Sequence, residues 1–101
     1  MNDYVTWKHP GVVASGAQWL VEKKIKAVGI DASAIQVHGL SDESDPKESV
    51  HYAFLSRRIL IIEGLTTLGP ASGKRGRIYI IPLPIKGAGG TLVRVFMEVN
   101  E

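Results

Sequence analysis

Residues 1–12, "MNDYVTWKHPGV", show no sustained period and contain Pro10 and Gly11, so they predict an extended arm that leads into a helix. From Val13 the apolar residues fall at Val13, Ala17, Leu20 and Val21, the spacing of one helical face. Lys23, Lys24 and Lys26 follow, where cations suit the carboxyl end of a helix dipole. "AVGI", residues 27–30, is a short apolar run closed by Asp31 and predicts a buried strand. Helix followed by strand is the unit from which mixed α/β layers are built.

A polar loop, "SDESDPKES", separates this unit from the next. Asp45 suits an N-cap, Pro46 the first helical position, and Glu48 completes a capping-box spacing. The predicted helix runs to about Arg57, with Val50 and Phe54 on one face and His51 and Leu55 on the adjoining one. "ILII", residues 59–62, then reads as a strand buried on both faces. Beyond the turn-rich "GPASGKRG", two further strands are expected in "RIYIIPL" and "TLVRVFMEV", joined by "PIKGAGG". The last strand alternates only in part, with Arg94, Phe96 and Glu98 opposite Leu92, Val93, Val95, Met97 and Val99. The expected fold class is α/β with mixed α+β content, two helices and four to five strands, and no internal repeat.

The chain has 101 residues, which leaves room for one domain and a small core. With 45% hydrophobic and 22% charged residues it has an ordinary globular composition. No cysteine is present, so disulfides, thiolate metal sites and cysteine nucleophiles are excluded; this fits a reducing interior, and with no membrane-span run or signal-peptide pattern a cytoplasmic setting is expected. The formal charge is +2, and the cations come in short groups that Trp7 and Trp19 do not interleave. Solvated strand edges explain such groups better than a nucleic-acid surface does. No run approaches the ~20 apolar residues of a membrane span, so neither nucleic acid nor membrane is an expected partner.

Few residues remain to carry chemistry. "GPASGKRG" misses the phosphate-loop spacing because Lys74 stands where a glycine is needed, and "GAGG" precedes no helix. No GxSxG elbow occurs. Of the three histidines, His9 precedes a proline in the arm and His38 precedes Gly39, both settings for surface or turn side chains. Asp31 either caps the turn "DASA" by accepting backbone N–H groups or faces a site. His51 and Glu63 are placed differently, one in the first turns of a helix and the other at the mouth of a buried strand. A carboxylate there must be hydrogen-bonded, paired or metal-bound. Two readings stay open: Glu63 is ion-paired to Arg57 or Arg58, or His51 and Glu63 are two ligands of a metal that needs at least one more.

The stretch "HPGVVASGAQWLVEKKIKAVGIDASAI" resembles the cyclase family that includes kynurenine formamidases and isatin hydrolases. The resemblance continues through "HYAFLSRRILIIEGLTTL" and "IYIIPLPIKGAGGTLVRVFMEV", and so covers nearly the whole chain from His9 onward. It implies a partial three-layer β/β/α fold of the swivelling-domain type, and a metal-dependent hydrolase of formamides or cyclic amides, as in tryptophan catabolism. It further implies that His51 and Glu63, twelve positions apart, ligate a divalent cation, zinc or manganese.

The family's main metal motif, of the form HxGTHxDxPxH, has no counterpart here, so residues 1–101 correspond to the family's carboxyl-terminal half. No catalytic residue can be named, and the chain is not expected to be active alone. Three readings follow: a split hydrolase completed by a polypeptide carrying the amino-terminal half, a truncated paralogue that self-associates without catalysis or retained metal, or a fragment of a longer enzyme. All three leave strands short of neighbours and predict a homo-oligomer or a complementary partner.

Overall fold

The structure is a computed structural model that describes residues 9–37 and 44–99. Its content is mixed α/β, with two helices and four strands in two small sheets among the described residues. Contacts divide the chain into two compact units, Met1–Thr66 and Thr67–Glu101.

In the first unit, α1 spans Ala14–Glu22 and β1 spans Ala27–Gly29. The second helix, α2, spans Val50–Leu55, and β2 spans Leu60–Ile62. Both helices end on a cation in the left-handed region, Lys24 (φ 57°) and Arg58 (φ 59°), which turns the chain out of the helix and into the strand that follows. The two strands pair in parallel, Ala27 with Leu60, Val28 with Ile61 and Gly29 with Ile62. The α2 segment supplies the crossover that a parallel pair requires. Ala17 from α1, Val50 and Phe54 from α2, and Ile35 and Ile59 beside them form the core, every one buried.

Four expectations are corrected. The second helix begins at Val50, not after Asp45. The Asp45 carboxylate accepts the Lys47 N–H at 2.9 Å and forms a local turn, while the Glu48 and Ser49 N–H groups both reach the Asp45 carbonyl. Ser49 is the true N-cap, its hydroxyl accepting the Tyr52 N–H. Second, "ILII" is not buried on both faces. Ile59 and Ile62 are, but Leu60 is 59% exposed, because no element covers that side of the two-stranded sheet among the described residues. Third, "AVGI" is half-buried rather than buried. The described end of the arm is extended, as expected, and held in place: Val12 bridges Gln36 in parallel, with its N–H on the Ile35 carbonyl at 2.7 Å. Gly11 is needed there, since a Cβ would meet the Ile35 carbonyl at 2.8 Å and the Val37 nitrogen at 2.9 Å. Fourth, His9 is not a surface histidine. It is buried, and its Nδ1–H donates to the Pro10 carbonyl at 2.9 Å. His38 and residues 1–8 lie outside the described residues.

The second unit holds a short 3-10 turn, Gly69–Ala71, and then β3 (Gly76–Pro82) and β4 (Val93–Val99), paired antiparallel. Its register puts Gly76, Ile78, Ile80 and Pro82 with Val93, Val95, Met97 and Val99 on one wholly uncharged face. On the other face Tyr79 stacks on Phe96, with ring centroids 4.7 Å apart, and Arg77, Ile81, Arg94 and Glu98 flank them. "GPASGKRG" is the expected turn region, with Gly73 at φ 71°. No described helix is long and apolar enough to cross a membrane.

Candidate metal half-site

Parallel strands leave their carboxyl ends at one edge of the sheet, the place where ligands collect in α/β folds. Glu63 follows β2 directly and stands at that edge. The tight connection from α2 to β2 runs the helix back against the strand, so the first turn of α2, with His51, returns to the same end. His51 Nε2 lies 3.6 Å from Glu63 Oε2. The structure thus brings together the two residues singled out from sequence.

The segment after β1 fixes the carboxylate. Leu65 N–H donates to the Ile30 carbonyl at 3.0 Å and Gly64 N–H to the Ala32 carbonyl at 2.8 Å, which folds residues 30–35 over the strand end. The Ile35 N–H then donates to Glu63 Oε2 at 2.5 Å. Gln36, only 3% exposed, accepts the Val50 N–H at 2.9 Å on its side-chain oxygen and ties the same segment to the first turn of α2. That N–H is one of the helix-start donors with no partner inside the helix. Neither contact was visible from sequence. The one available signal was a polar Gln between apolar neighbours in "AIQV", a pattern that marks a buried, hydrogen-bonded amide.

The ion-pair reading of Glu63 is not what the structure shows. The Arg57 guanidinium turns back to donate to the Ala53 carbonyl at 3.1 Å and to the Ser56 hydroxyl at 3.4 Å, and Arg58 has no carboxylate partner among the described residues. Asp31 is exposed, and its side chain accepts no backbone N–H among the described residues. It therefore neither caps the turn nor joins His51 and Glu63.

The separation of the pair bears on its chemistry. At 3.6 Å it exceeds an ordinary N–H···O hydrogen bond. Two ligand atoms held at about 2.0–2.1 Å around a tetrahedral cation stand about 3.3 Å apart, close to what is seen. Imidazole and carboxylate are both accepted zinc ligands, and both side chains remain open to solvent, at 42% and 34% exposure. The pair therefore fits two coordination positions. A stable zinc site needs three or four protein ligands, and no group of three His, Cys, Asp or Glu able to hold a metal exists among the described residues.

No protein-family model, curated protein or solved structure matches this chain.

Proposed function

We propose that this chain is the carboxyl-terminal half of a cyclase-like, metal-dependent amide hydrolase of the cytoplasm, completed by a second polypeptide that carries the remaining ligands. The observation that supports this reading most is the His51–Glu63 pair, 3.6 Å apart at the carboxyl end of a parallel strand pair. The resemblance of the sequence to kynurenine formamidases and isatin hydrolases supplies the reaction class, hydrolysis of a formamide or cyclic amide C–N bond. Zinc or manganese in such a site polarises a carbonyl and makes water acidic enough to act as a nucleophile near neutral pH.

This chain's own part is to present two donors in fixed relation. The Ile35 N–H donates to Glu63 Oε2, the same oxygen that stands 3.6 Å from His51 Nε2, and so orients the carboxylate toward the imidazole. The helix start, tied down by Gln36 and Ser49, sets the position of His51. The carboxylate and the helix turn that carries His51 are therefore both anchored, which favours the preorganisation a shared site needs. The partner would supply the other donors, the proton-transfer group and most of the substrate pocket.

Titration of the chain with Zn2+ and with Mn2+ by calorimetry tests this directly. Two protein donors should give binding no tighter than the micromolar range, and His51→Ala should weaken it at least about tenfold, the loss of roughly 1.4 kcal/mol or more. Equal affinity in the native chain and in His51→Ala would remove His51 from the site. A second reading, a non-catalytic module that self-associates, is favoured by the exposed apolar residues Ile78, Ile81, Leu83 and Leu92 in the second unit. It predicts no measurable affinity for either metal.

A further inference from the structure

The β4 sequence Val93-Arg94-Val95-Phe96-Met97-Glu98-Val99 is symmetric in chemical type about Phe96. Val stands at both ends, Arg94 is mirrored by Glu98, and Val95 by Met97. β4 pairs on one edge only, with β3, so its outer edge is open among the described residues. Among the described residues Arg94 and Glu98 form no ion pair, although Arg77 stands opposite Glu98 in the β3–β4 register; both are exposed, and Phe96 is 43% exposed.

We propose that β4 is a homodimer interface, in which two copies pair edge to edge and antiparallel about a two-fold axis at Phe96. In that register Arg94 lies opposite Glu98 of the second copy, and Glu98 opposite its Arg94. Phe96 faces its own counterpart, Val95 faces Met97, and Val93 faces Val99. Every cross-strand pair is then of a favourable kind, two of them opposite charges and one aromatic, and none is like-charged. A slip of one residue breaks the match, and it also moves each side chain to the wrong face of one copy relative to the other. An isologous contact demands self-complementarity of this sort, and β4 meets it along its full length.

The pairing also answers a structural need. A two-stranded hairpin is marginal in water, whereas three or more strands with an apolar face are stable. Joining two hairpins gives the order β3-β4-β4-β3, with the uncharged face of Ile78, Ile80, Val95 and Met97 continuous across both copies. The opposite face carries a row of four rings, because Tyr79 already stacks on Phe96 in each copy. An exposed strand edge is otherwise a site of indiscriminate pairing, and the Arg94–Glu98 pattern makes this one selective for itself. The contact uses residues of the second unit alone, so it does not rest on the metal half-site and can fail without it.

Sedimentation velocity on the full chain, with charge variants, is the test. The native chain should form a dimer of 22.0 kDa, twice its 11.0 kDa mass. Arg94→Glu and Glu98→Arg should each weaken dimerisation at least about tenfold, since each converts two attractive pairs into two repulsive ones. The double variant Arg94→Glu/Glu98→Arg restores both pairs between the copies, although it sets a cation opposite Arg77 within each hairpin, and it should dimerise more tightly than either single variant. Mixing the two single variants should produce a one-to-one heterodimer, because one then presents only acids and the other only bases at these positions. A native chain that stays at 11.0 kDa at about 100 μM, well above a micromolar Kd, would overturn the proposal. So would single variants that dimerise like the native chain, or a double variant and a mixture that both remain monomeric.

Discussion

Phe54→Ala is expected to abolish the cooperative unfolding of the first unit. Phe54 has no exposed surface and packs among Ala17, Ile35, Val50 and Ile59, the whole of that unit's buried cluster. Truncating a buried Phe costs about 3–5 kcal/mol, part of it lost transfer free energy and part the cavity left behind. Small domains hold only about 0.05–0.15 kcal/mol per residue, so the loss is comparable to the unit's entire stability. The adjacent residue is the control. Leu55 is 55% exposed, and Leu55→Ala should shift stability by no more than about 0.5 kcal/mol. Urea titrations followed by far-UV circular dichroism separate the two, and equal midpoints for both variants would show that the core is not centred on Phe54.

The second large effect concerns Glu63, which has a structural and a chemical task that different substitutions divide. Its Oε2 accepts the N–H of Ile35, a residue with no exposed surface. Glu63→Ala leaves that donor without a partner, at a cost of about 1–3 kcal/mol. Glu63→Gln keeps an oxygen able to accept the same hydrogen bond, so most of the stability should survive. Metal binding should behave otherwise, because a neutral amide replaces the anionic ligand in Gln and no ligand remains in Ala. Glu63→Gln is therefore expected to fold nearly as the native chain does and yet lose the metal. His51→Ala should do the same, since the ring's contact with Glu63, at 3.6 Å, is longer than a hydrogen bond and its loss leaves no buried donor unpaired. If Glu63→Ala proved as stable as Glu63→Gln, the Ile35 contact would not be contributing.

The elements whose signals are local were legible in the sequence. The 3.6-residue period from Val13 marks α1, whose carboxyl end is closed by Lys23 and Lys24 as the charge pattern implies. β3 and β4 follow from β-branched runs bounded by glycine-rich turns. The meeting of His51 and Glu63 was also foreseeable, because a helix and a strand joined by a tight turn must bring the start of one to the end of the other. What failed depended on competition or on neighbours. Asp45 has every feature of an N-cap, but its side chain prefers the turn at Lys47, and Ser49 takes the helix start. Leu60 belongs to an unbroken apolar run, yet burial on both faces requires a covering layer that the described residues do not provide. His9 reads as a surface or turn residue, yet it is buried, with its Nδ1–H on the Pro10 carbonyl. The symmetry of β4 is present in the residue order, but it acquires meaning only when the strand is found with one open edge.

The claim that this chain presents half of a metal site is tested most directly by native mass spectrometry of the chain purified from the cells that make it, with zinc or manganese supplied. The expected result is a metal-bearing assembly that contains a second polypeptide, and whose metal is lost when His51 is replaced by alanine. A chain that carries no metal in any assembly, or that keeps the same metal in His51→Ala, would contradict it.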